Sequence, residues 1–345
     1  MARNSTSGAS CGRARPGGSA RPKSPAFKAV ILAGGSGERF WPLSTPELPK
    51  QFLRVFGGAS LIRQSVDRLA GLAEPRDVFV VTSEALVEAT RRELPEVPPE
   101  NIVGEPMRRD TGAAVALGVG LAGDGIIGFF PSDQLVGRPD RFRSAVKRAI
   151  AIAAKSPKIV TLGIRPTFPA TGFGYIDPKS GRFVEKPDAA RAQKYLDSGY
   201  LWNAGMFIAS SATFAGAFKA HAPALRPLCD GPSGPLAAVY EPLPRISFDF
   251  AVMEKFSGVA VVPGDFGWDD VGGYTAFDTY FPHDSHGNVR EGPCTVVDSE
   301  GNICVSRSAR IALLGVKNLV VVSTPDAVLV ADKSQLGGMK KLFAR

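Results

Sequence analysis

The sequence has few cysteines and histidines and no long apolar stretch. Its 345 residues include four cysteines and three histidines. The cysteines (Cys11, Cys229, Cys294 and Cys304) lack metal-site spacing, which predicts reduced thiols in a cytoplasmic protein. No apolar run approaches the roughly 20 residues that span a bilayer, and the N-terminus lacks the apolar segment of a secretory signal. We therefore expect no membrane partner.

Acidic residues are missing from the first 25 positions, which carry Arg3, Arg13, Arg15, Arg21 and Lys23. Five of the eight net positive charges lie there, and three remain for the body of the chain. Residues 1–25 are rich in Gly, Ser, Pro and Arg, a composition that predicts a disordered basic tail. The modest charge of the body suits an enzyme that handles phosphorylated substrates and predicts no nucleic-acid partner. A weak contact between the tail and polyanions is the alternative.

The glycine-rich run that begins at Gly34 lacks the marks of two common nucleotide loops. A dinucleotide fingerprint needs a third glycine where Phe40 stands, which disfavours a dinucleotide-dependent oxidoreductase. A P-loop needs a Gly-Lys-Ser/Thr triplet, and none follows Gly37.

What this region does contain is a buried strand signal, a glycine loop and two cations. Phe27–Ile31 is short, β-branched and nearly uncharged, as buried strands are. Glycines allow the backbone to turn sharply and present N–H groups to a ligand, and Arg39 and Lys50 add positive charge at the rim. The run predicts a triphosphate cradle with nucleotide-binding residues Leu32, Ala33, Gly34, Gly35, Ser36 and Gly37.

The order of the predicted elements indicates the fold class. Up to residue 165, strands alternate with helices, which predicts an α/β fold: a Rossmann-like, mostly parallel sheet with helices on both faces. Helices are predicted at Leu61–Leu72, Thr111–Leu121 and Phe142–Ala154, and strands at Val78–Thr82, Ile126–Phe130 and Ile159–Ile164.

Beyond residue 280 the pattern changes to five short strand signals separated by turns. They predict a small C-terminal β domain at 281–345, following a catalytic domain at 26–280. The strand signals lie at Cys294–Val297, Ile303–Val305, Ile311–Leu314, Leu319–Val322 and Val328–Val330, with no exact repeat apparent among them.

Two carboxylates from distant segments are candidates for a metal site. Asp133 follows a strand in Pro-Ser-Asp, and Asp270 lies in Trp-Asp-Asp-Val-Gly. Mg²⁺ is commonly held by one or two carboxylates together with substrate phosphates. The residues alone leave other interpretations open: Asp133 as a helix N-cap and Asp270 as part of a turn.

Taken together, these motifs resemble those of the sugar-nucleotide pyrophosphorylase superfamily. Within it, Trp41-Pro42-Leu43-Ser44 and Pro49-Lys50-Gln51-Phe52-Leu53 resemble the mannose-1-phosphate guanylyltransferase branch, and the similarity covers residues 26 to about 335. The resemblance implies Mg²⁺ as cofactor with Asp133 and Asp270 as its ligands, and a β-helix as the form of the C-terminal domain. It implies catalytic roles for Arg39, Lys50, Asp133, Lys186 and Asp270.

The resemblance also implies substrate contacts. In Glu185-Lys186-Pro187, Lys186 would hold the sugar phosphate and Glu185 the sugar hydroxyls, although a surface turn is the alternative. Asn203 would bind the sugar, and Gly174 and Tyr175 would border it; Phe173 replaces the family's usual tyrosine.

For the base, Glu105 aligns with a glutamine that reads the base in thymidylyl-transferring relatives, and a glutamate suits guanine. Asp110 and Thr111 replace the more usual Asn-Thr. Acids of a first helical turn, stabilised by the helix dipole, are the alternative interpretation of Glu105 and Asp110.

The implied function is transfer of GMP from GTP to α-D-mannose 1-phosphate, giving GDP-mannose and pyrophosphate. The alternatives are a related transferase for another sugar or base, and a non-catalytic sugar-nucleotide sensor. The C-terminal β domain is also a candidate surface for homo-oligomer formation.

Overall fold

The structure, a computed structural model, describes Met1 and residues 26–35, 37–231 and 234–343. The predicted basic tail and Ser36 therefore lie outside the described residues, apart from Met1. Within the described ranges, no helix is both long enough and apolar enough to cross a bilayer.

The described residues form seventeen strands, and most of them coincide with runs of β-branched or aromatic residues in the sequence. Numbered in chain order, they are β1 (Phe27–Ala33), β2 (Val78–Ser83), β3 (Ile102–Glu105), β4 (Ile126–Pro131), β5 (Leu135–Val136), β6 (Ile159–Ile164), β7 (Tyr175–Ile176), β8 (Phe183–Val184), β9 (Leu201–Ser210), β10 (Val259–Gly264), β11 (Trp268–Asp269), β12 (Val289–Glu291), β13 (Cys294–Val297), β14 (Ile303–Ser306), β15 (Ile311–Leu314), β16 (Leu319–Ser323) and β17 (Val328–Asp332).

Eight α-helices connect these strands in the described part of the chain. They are α1 (Leu61–Asp67), α2 (Val87–Glu93), α3 (Asp110–Ala122), α4 (Pro139–Ala153), α5 (Ala189–Asp197), α6 (Ser211–His221), α7 (Leu236–Tyr240) and α8 (Ala276–Tyr280). The helix predicted to reach Leu72 ends at Asp67, because the chain continues in tight turns through Gly71, whose φ is +77°.

The central sheet has the order β10-β6-β9-β4-β1-β2-β3 and is mostly parallel. Strand β9 runs antiparallel to both of its neighbours, and the short β7–β8 hairpin attaches to it. This confirms the predicted fold class. Because β1, β2, β3 and β4 are parallel, their carboxyl ends meet at one edge, where ligands bind in sheets of this type.

Helices cover both faces of the sheet. Successive side chains of a strand point to opposite faces, and the central strands carry apolar side chains on both. Val30 and Phe129 face one way and pack in a cluster with α3 and α6, whereas Ile31 and Phe130 face the other way and pack with α1 and α4. The glycines of α3 allow close approach: a Cβ on Gly118 would lie 2.6 Å from the Phe129 ring.

The C-terminal strands form a short β-helix. Strands β12, β14 and β16 pair in parallel as one sheet, and β13 and β15 pair in parallel as a second. Buried asparagines join successive coils. Asn302 donates its side-chain N–H to Asn288 Oδ1 (2.9 Å) and to the Val316 carbonyl (3.0 Å), and its own Oδ1 accepts the Leu319 N–H at 2.8 Å.

Asn288 and Asn302, together with the exposed Asn318, mark a repeat that was not predicted from the sequence. Gly287-Asn288-Val289, Gly301-Asn302-Ile303 and Lys317-Asn318-Leu319 stand at the start of successive coils. The spacing changes from 14 to 16 residues, so a search for a fixed period does not find it. The turns between coils differ in length, whereas each asparagine directly precedes the first strand of its coil.

Asn302 should therefore be critical for the stability of the β-helix. Asn302→Ala leaves Asn288 Oδ1, the Val316 carbonyl and the Leu319 N–H without this partner, at about 1–3 kcal/mol for each buried group that stays unpaired. We expect the melting temperature to fall by several degrees in thermal unfolding followed by circular dichroism. Asn318→Gly is the control, because Asn318 is exposed with φ +54°, a conformation that glycine adopts without strain. Equal melting temperatures for the two variants would contradict the interpretation.

Gly37 should tolerate no side chain. Its φ is +66°, and an added Cβ would lie 2.5 Å from the Lys50 backbone nitrogen, so alanine would push two loops apart. Gly58 has a similar φ of +82° but nothing within 4 Å of an added Cβ. Gly58→Ala should cost only the backbone strain, about 1 kcal/mol, whereas Gly37→Ala should lower the melting temperature clearly further. If the two variants melt together, the loops are not held in this contact.

Candidate active site

Two adjoining cavities open at the carboxyl edge of the sheet. The larger, about 430 Å³, is a cleft over the end of β1 and the N-terminus of α3; the smaller, about 210 Å³, lies beyond the glycine loop. Asp133 lines both. Predicted site residues on the cleft are Leu32, Ala33, Gly34, Gly35, Glu105, Asp110 and Thr111, and those on the smaller cavity are Gly37, Arg39, Lys50 and Asp270.

A two-stranded ribbon brings Asp133 and Asp270 to the same cavity. Strand β5 begins two residues after Asp133, β11 ends one residue before Asp270, and the two strands pair antiparallel with Asp269 opposite Leu135. A side-chain hydrogen bond also joins the two arms of the ribbon, since Trp268 Nε1 donates to Gln134 Oε1 at 3.0 Å. Two acids 137 positions apart in the sequence are thus neighbours.

Lys50 connects three segments of this cavity. Its ammonium donates to Asp133 Oδ2 at 2.9 Å and to the Asp270 backbone carbonyl at 2.6 Å, and its side chain is only 9% exposed. Burial raises the pKa of Asp270, and the charge of Lys50 opposes that rise. Arg39 reaches across from the other side, with Nη1 3.5 Å from the Gly272 carbonyl oxygen.

Asp269 and Arg68 support this cavity, and the sequence analysis assigned no function to either. Asp269 accepts the Val271 N–H at 2.6 Å and the Tyr280 hydroxyl at 3.0 Å, so it shapes the turn that presents Asp270. Arg68 is 4% exposed and donates to the carbonyls of Pro131 and Gln134, on either side of Asp133. Burial lowers the pKa of its guanidinium to about 10. Nothing in the helical pattern around Arg68 signals that its side chain reaches this loop.

The far end of the cleft carries Glu105. Its Oε1 accepts the Tyr240 hydroxyl at 3.2 Å, and its Oε2 lies 3.6 Å from where a Cβ on Gly34 would stand. Desolvation raises the pKa of Glu105 to about 7. Tyr240, which no local sequence pattern singles out, is the last residue of α7, and the segment that follows it lines the cleft through Arg245 and Phe248.

Asp110 and Thr111 organise the N-terminus of α3 beside Glu105. The Asp110 carboxylate accepts the Thr111 N–H at 2.7 Å, and the Thr111 hydroxyl accepts the Phe248 N–H at 2.9 Å. Arg109 donates to the carbonyls of Tyr240 and Glu241. The start of α3 thereby holds the segment from Tyr240 to Phe248 beside the cleft.

Asn203, on β9, is held by its neighbours near the cleft. Its Oδ1 accepts the Thr161 hydroxyl at 2.9 Å and the Gly205 N–H at 3.0 Å, and its Nδ2 donates to Asp249 Oδ1 at 3.0 Å. Asp249 lines the cleft and was missed by the sequence analysis. Desolvation, with a further contribution from Glu185, raises its pKa to about 7. It begins a π-helix, Asp249–Met253, an uncommon widened turn that periodicity does not reveal.

The remaining predicted sugar residues cluster behind Asn203. Lys186 pairs with the Glu185 carboxylate; burial lowers its pKa, but the hydrogen bond and charge of Glu185 outweigh that effect, and the pKa is raised. Glu185 Oε2 is buried without a hydrogen-bond partner in the described structure and would lie 2.6 Å from a Cβ on Gly174. The Tyr175 ring is fully buried beside Trp202, so this residue borders the region through its backbone.

The donor set fits Mg²⁺ only in part. Asp133 and Asp270 share a cavity and offer the hard oxygen ligands that Mg²⁺ prefers. Within residues 26–35, 37–231 and 234–343, no group of three or more His, Cys, Asp or Glu side chains is placed to hold a metal. A cation here would therefore need further ligands, which substrate phosphates and water supply.

Comparison with known proteins places the chain in a family. The model of the nucleotidyl transferase family matches residues 28–285, and that of the MannoseP isomerase/GMP-like beta-helix domain matches residues 292–345. A crystal structure from Thermus thermophilus, described as a mannose-1-phosphate geranyltransferase, superimposes with a TM-score of 0.82 at 37% identity, covering 93% of this chain and 99% of that one.

Two relatives of the chain support the same family assignment. A mannose-1-phosphate guanylyltransferase of Klebsiella pneumoniae is 36% identical over 342 residues, which cover 90% of this chain and 72% of the relative. The xanthan biosynthesis protein XanB of Xanthomonas campestris pv. campestris (strain B100) is 37% identical over 339 residues, covering 92% and 72%. The chain therefore belongs to the nucleotidyl transferase family, within its mannose-1-phosphate guanylyltransferase branch that carries a C-terminal β-helix domain.

Proposed function

We propose that the protein transfers GMP from GTP to α-D-mannose 1-phosphate, giving GDP-mannose and pyrophosphate. The observation that carries the proposal is the convergence of Asp133 and Asp270 on a cavity that Lys50 and Arg39 also line, next to a cleft with Glu105 at its far end. A nucleoside triphosphate spans these two spaces, with its base at Glu105 and its outer phosphates at the two cations.

The reaction needs positioning and charge stabilisation more than a protein nucleophile. An oxygen of the sugar phosphate attacks the α-phosphorus in line, the bond to the bridging oxygen breaks, and pyrophosphate departs with the electron pair. The sugar phosphate is already anionic at neutral pH, so catalysis lies in orienting the reactants and balancing their charge. The loop amides of Gly34, Gly35 and Gly37 bind phosphate oxygens, and Arg39 and Lys50 stabilise the departing charge.

Asp133 and Asp270 are the residues that would hold Mg²⁺. When bound, Mg²⁺ neutralises charge on the phosphates and polarises the α-phosphate. Lys50 contributes to the same charge balance because its ammonium offsets the Asp133 carboxylate. It also fixes the Asp270 loop by donating a hydrogen bond to the Asp270 backbone carbonyl.

The sugar phosphate is proposed to bind near Lys186, Glu185 and Asn203, bordered by Gly174 and Tyr175. The Lys186 ammonium steadies the attacking phosphate against repulsion from the nucleotide phosphates. Asn203 has both amide atoms oriented by Thr161, Gly205 and Asp249, which leaves the second amide hydrogen for a sugar hydroxyl. We further propose that residues 26–280 form the catalytic domain and 281–345 the β domain.

The test is pyrophosphate release measured with each combination of GTP, ATP, UTP and dTTP with mannose 1-phosphate and glucose 1-phosphate. We expect the highest kcat/KM for GTP with mannose 1-phosphate. A higher value for another pair would reassign the substrates. Binding of GDP-mannose without turnover of any pair would indicate a sugar-nucleotide sensor instead.

Activity should depend strictly on Mg²⁺. Asp133→Ala and Asp270→Ala should each lower kcat by about 10²–10³, the loss typical of one preorganised charge-stabilising group. Asp124→Asn, an exposed carboxylate away from both cavities, is the control. Full activity in excess chelator, or in both alanine variants, would contradict the two-carboxylate site.

Glu105 should select guanine, because its carboxylate accepts both the N1–H and the N2–H donors of that base. Glu105→Gln should reduce the preference for GTP over ATP by about 1–3 kcal/mol, since a charge-assisted pair is lost. The penalty for ITP, which lacks the N2 amine, should shrink in the variant. Glu84→Gln is the control, because Glu84 is exposed and does not line the cleft.

The pH dependence provides a second measurement of the same contact. With a pKa raised to about 7, Glu105 gains a proton as the pH falls through 7 and then accepts fewer hydrogen bonds. The ratio of kcat/KM for GTP to that for ATP should therefore fall between pH 8 and 6 in the wild type and stay flat in Glu105→Gln. Identical pH profiles in the two proteins would show that another group reads the base.

A further inference from the structure

One wall of the smaller cavity comes from the C-terminal part of the chain. Lys340 lines this cavity together with Arg39, Lys50, Asp133 and Asp270. It lies in a 3₁₀ segment, Lys333–Leu342, that follows the last strand of the β-helix. The sequence analysis assigned Lys340 no function, and its distance in sequence from every other cavity residue explains why.

The segment around Lys340 is anchored on both sides. Lys333 Nζ lies 2.9 Å from both carboxylate oxygens of Asp278, and Met339 is buried at 4% exposure. Beyond Lys340, the ring of Phe343 packs edge-on against Trp41, with 5.8 Å between centroids. Trp41 follows directly on the 3₁₀ turn that carries Arg39. The ion pair of Lys333 and the packing of Phe343 against Trp41 therefore fix the position of Lys340.

Lys340 is an available cation in this cavity. The charge of Lys50 is already offset by Asp133 at 2.9 Å, whereas no carboxylate of the described residues lies within 4 Å of the side-chain nitrogens of Lys340 or Arg39. A third cavity, of about 360 Å³, shares Arg39, Gly272 and Lys340 with the smaller cavity. Lys340 and Arg39 therefore both line the place where the smaller and the third cavity adjoin, whereas Glu105 lines neither of these cavities.

We infer that Lys340 binds the outer phosphates of the nucleotide and the pyrophosphate that leaves, so that the C-terminal segment completes the phosphate end of the active site. The inference rests on the proposed function. When the bond between the α-phosphorus and the bridging oxygen breaks, the electron pair departs with pyrophosphate, and its oxygens accept hydrogen bonds from the Lys340 ammonium. Lys340 keeps its proton throughout and contributes charge alone.

The experiment is the reverse reaction, in which GDP-mannose and pyrophosphate give GTP and mannose 1-phosphate. Lys340→Met should raise KM for pyrophosphate about tenfold, the loss expected for one charge-assisted hydrogen bond at an exposed position. KM for GDP-mannose should change less than twofold, because that substrate leaves this end of the site empty. Lys340→Arg should restore most of the pyrophosphate affinity. Lys341→Met is the matched control, since Lys341 is the adjacent exposed lysine and lines neither cavity.

A KM for pyrophosphate in Lys340→Met equal to that of Lys341→Met would overturn the inference. So would an equal rise in KM for both substrates, which indicates structural damage in place of a phosphate contact. If the wild type consumes no pyrophosphate, the proposed function fails. The inference is then decided by calorimetric binding of magnesium pyrophosphate, which should be about tenfold weaker in Lys340→Met than in the wild type and Lys341→Met.

Discussion

The arrangement of the site depends on one buried ammonium group. Lys50 binds the Asp133 carboxylate and the Asp270 carbonyl at once, and these groups belong to loops that follow different parts of the fold. Two acids directed at one small cavity repel each other, and the charge of Lys50 beside them reduces that cost. The glycine loop is coupled to the same point, since Gly37 lies against the Lys50 backbone with no room for a side chain. Loss of this lysine would therefore release three loops together.

Backbone strain is concentrated among the residues of the candidate active site. Among the described residues, five non-glycine residues have positive φ, and three of them belong to the site: Asp110, Lys186 and Val271. Val271 is β-branched, for which this conformation is a true outlier, and it follows Asp270 directly. Such strain persists where the surroundings fix the backbone more strongly than local preference does. Here the fully buried Val271 side chain and the hydrogen bond to Asp269 supply that restraint.

Local patterns in the sequence predicted the sheet, the glycine loop after its first strand and the place of Asp133 after another strand, because each depends on residues adjacent in the chain. The metal role of Asp133 stays a prediction. Other parts of the site depend on contacts between distant segments, which no local pattern records. Arg68 ends an ordinary amphipathic helix, yet its side chain fixes the Asp133 loop. Asp249 lies in a π-helix, a form that helical periodicity does not predict. The β-helix was predicted only from resemblance, because turns of unequal length hide the asparagine repeat.

The last strand of the β-helix has a consequence for how the domain ends. Strand β17 runs antiparallel to β16, whereas β12, β14 and β16 are parallel to one another. A parallel stack exposes an unpaired strand edge that further copies can extend, and reversing the final strand replaces that edge with one of different hydrogen-bond spacing. The hairpin formed by β16 and β17 therefore terminates the stack. Removing β17 alone would leave β16 as an open parallel edge and favour fibre-like association of the shortened protein.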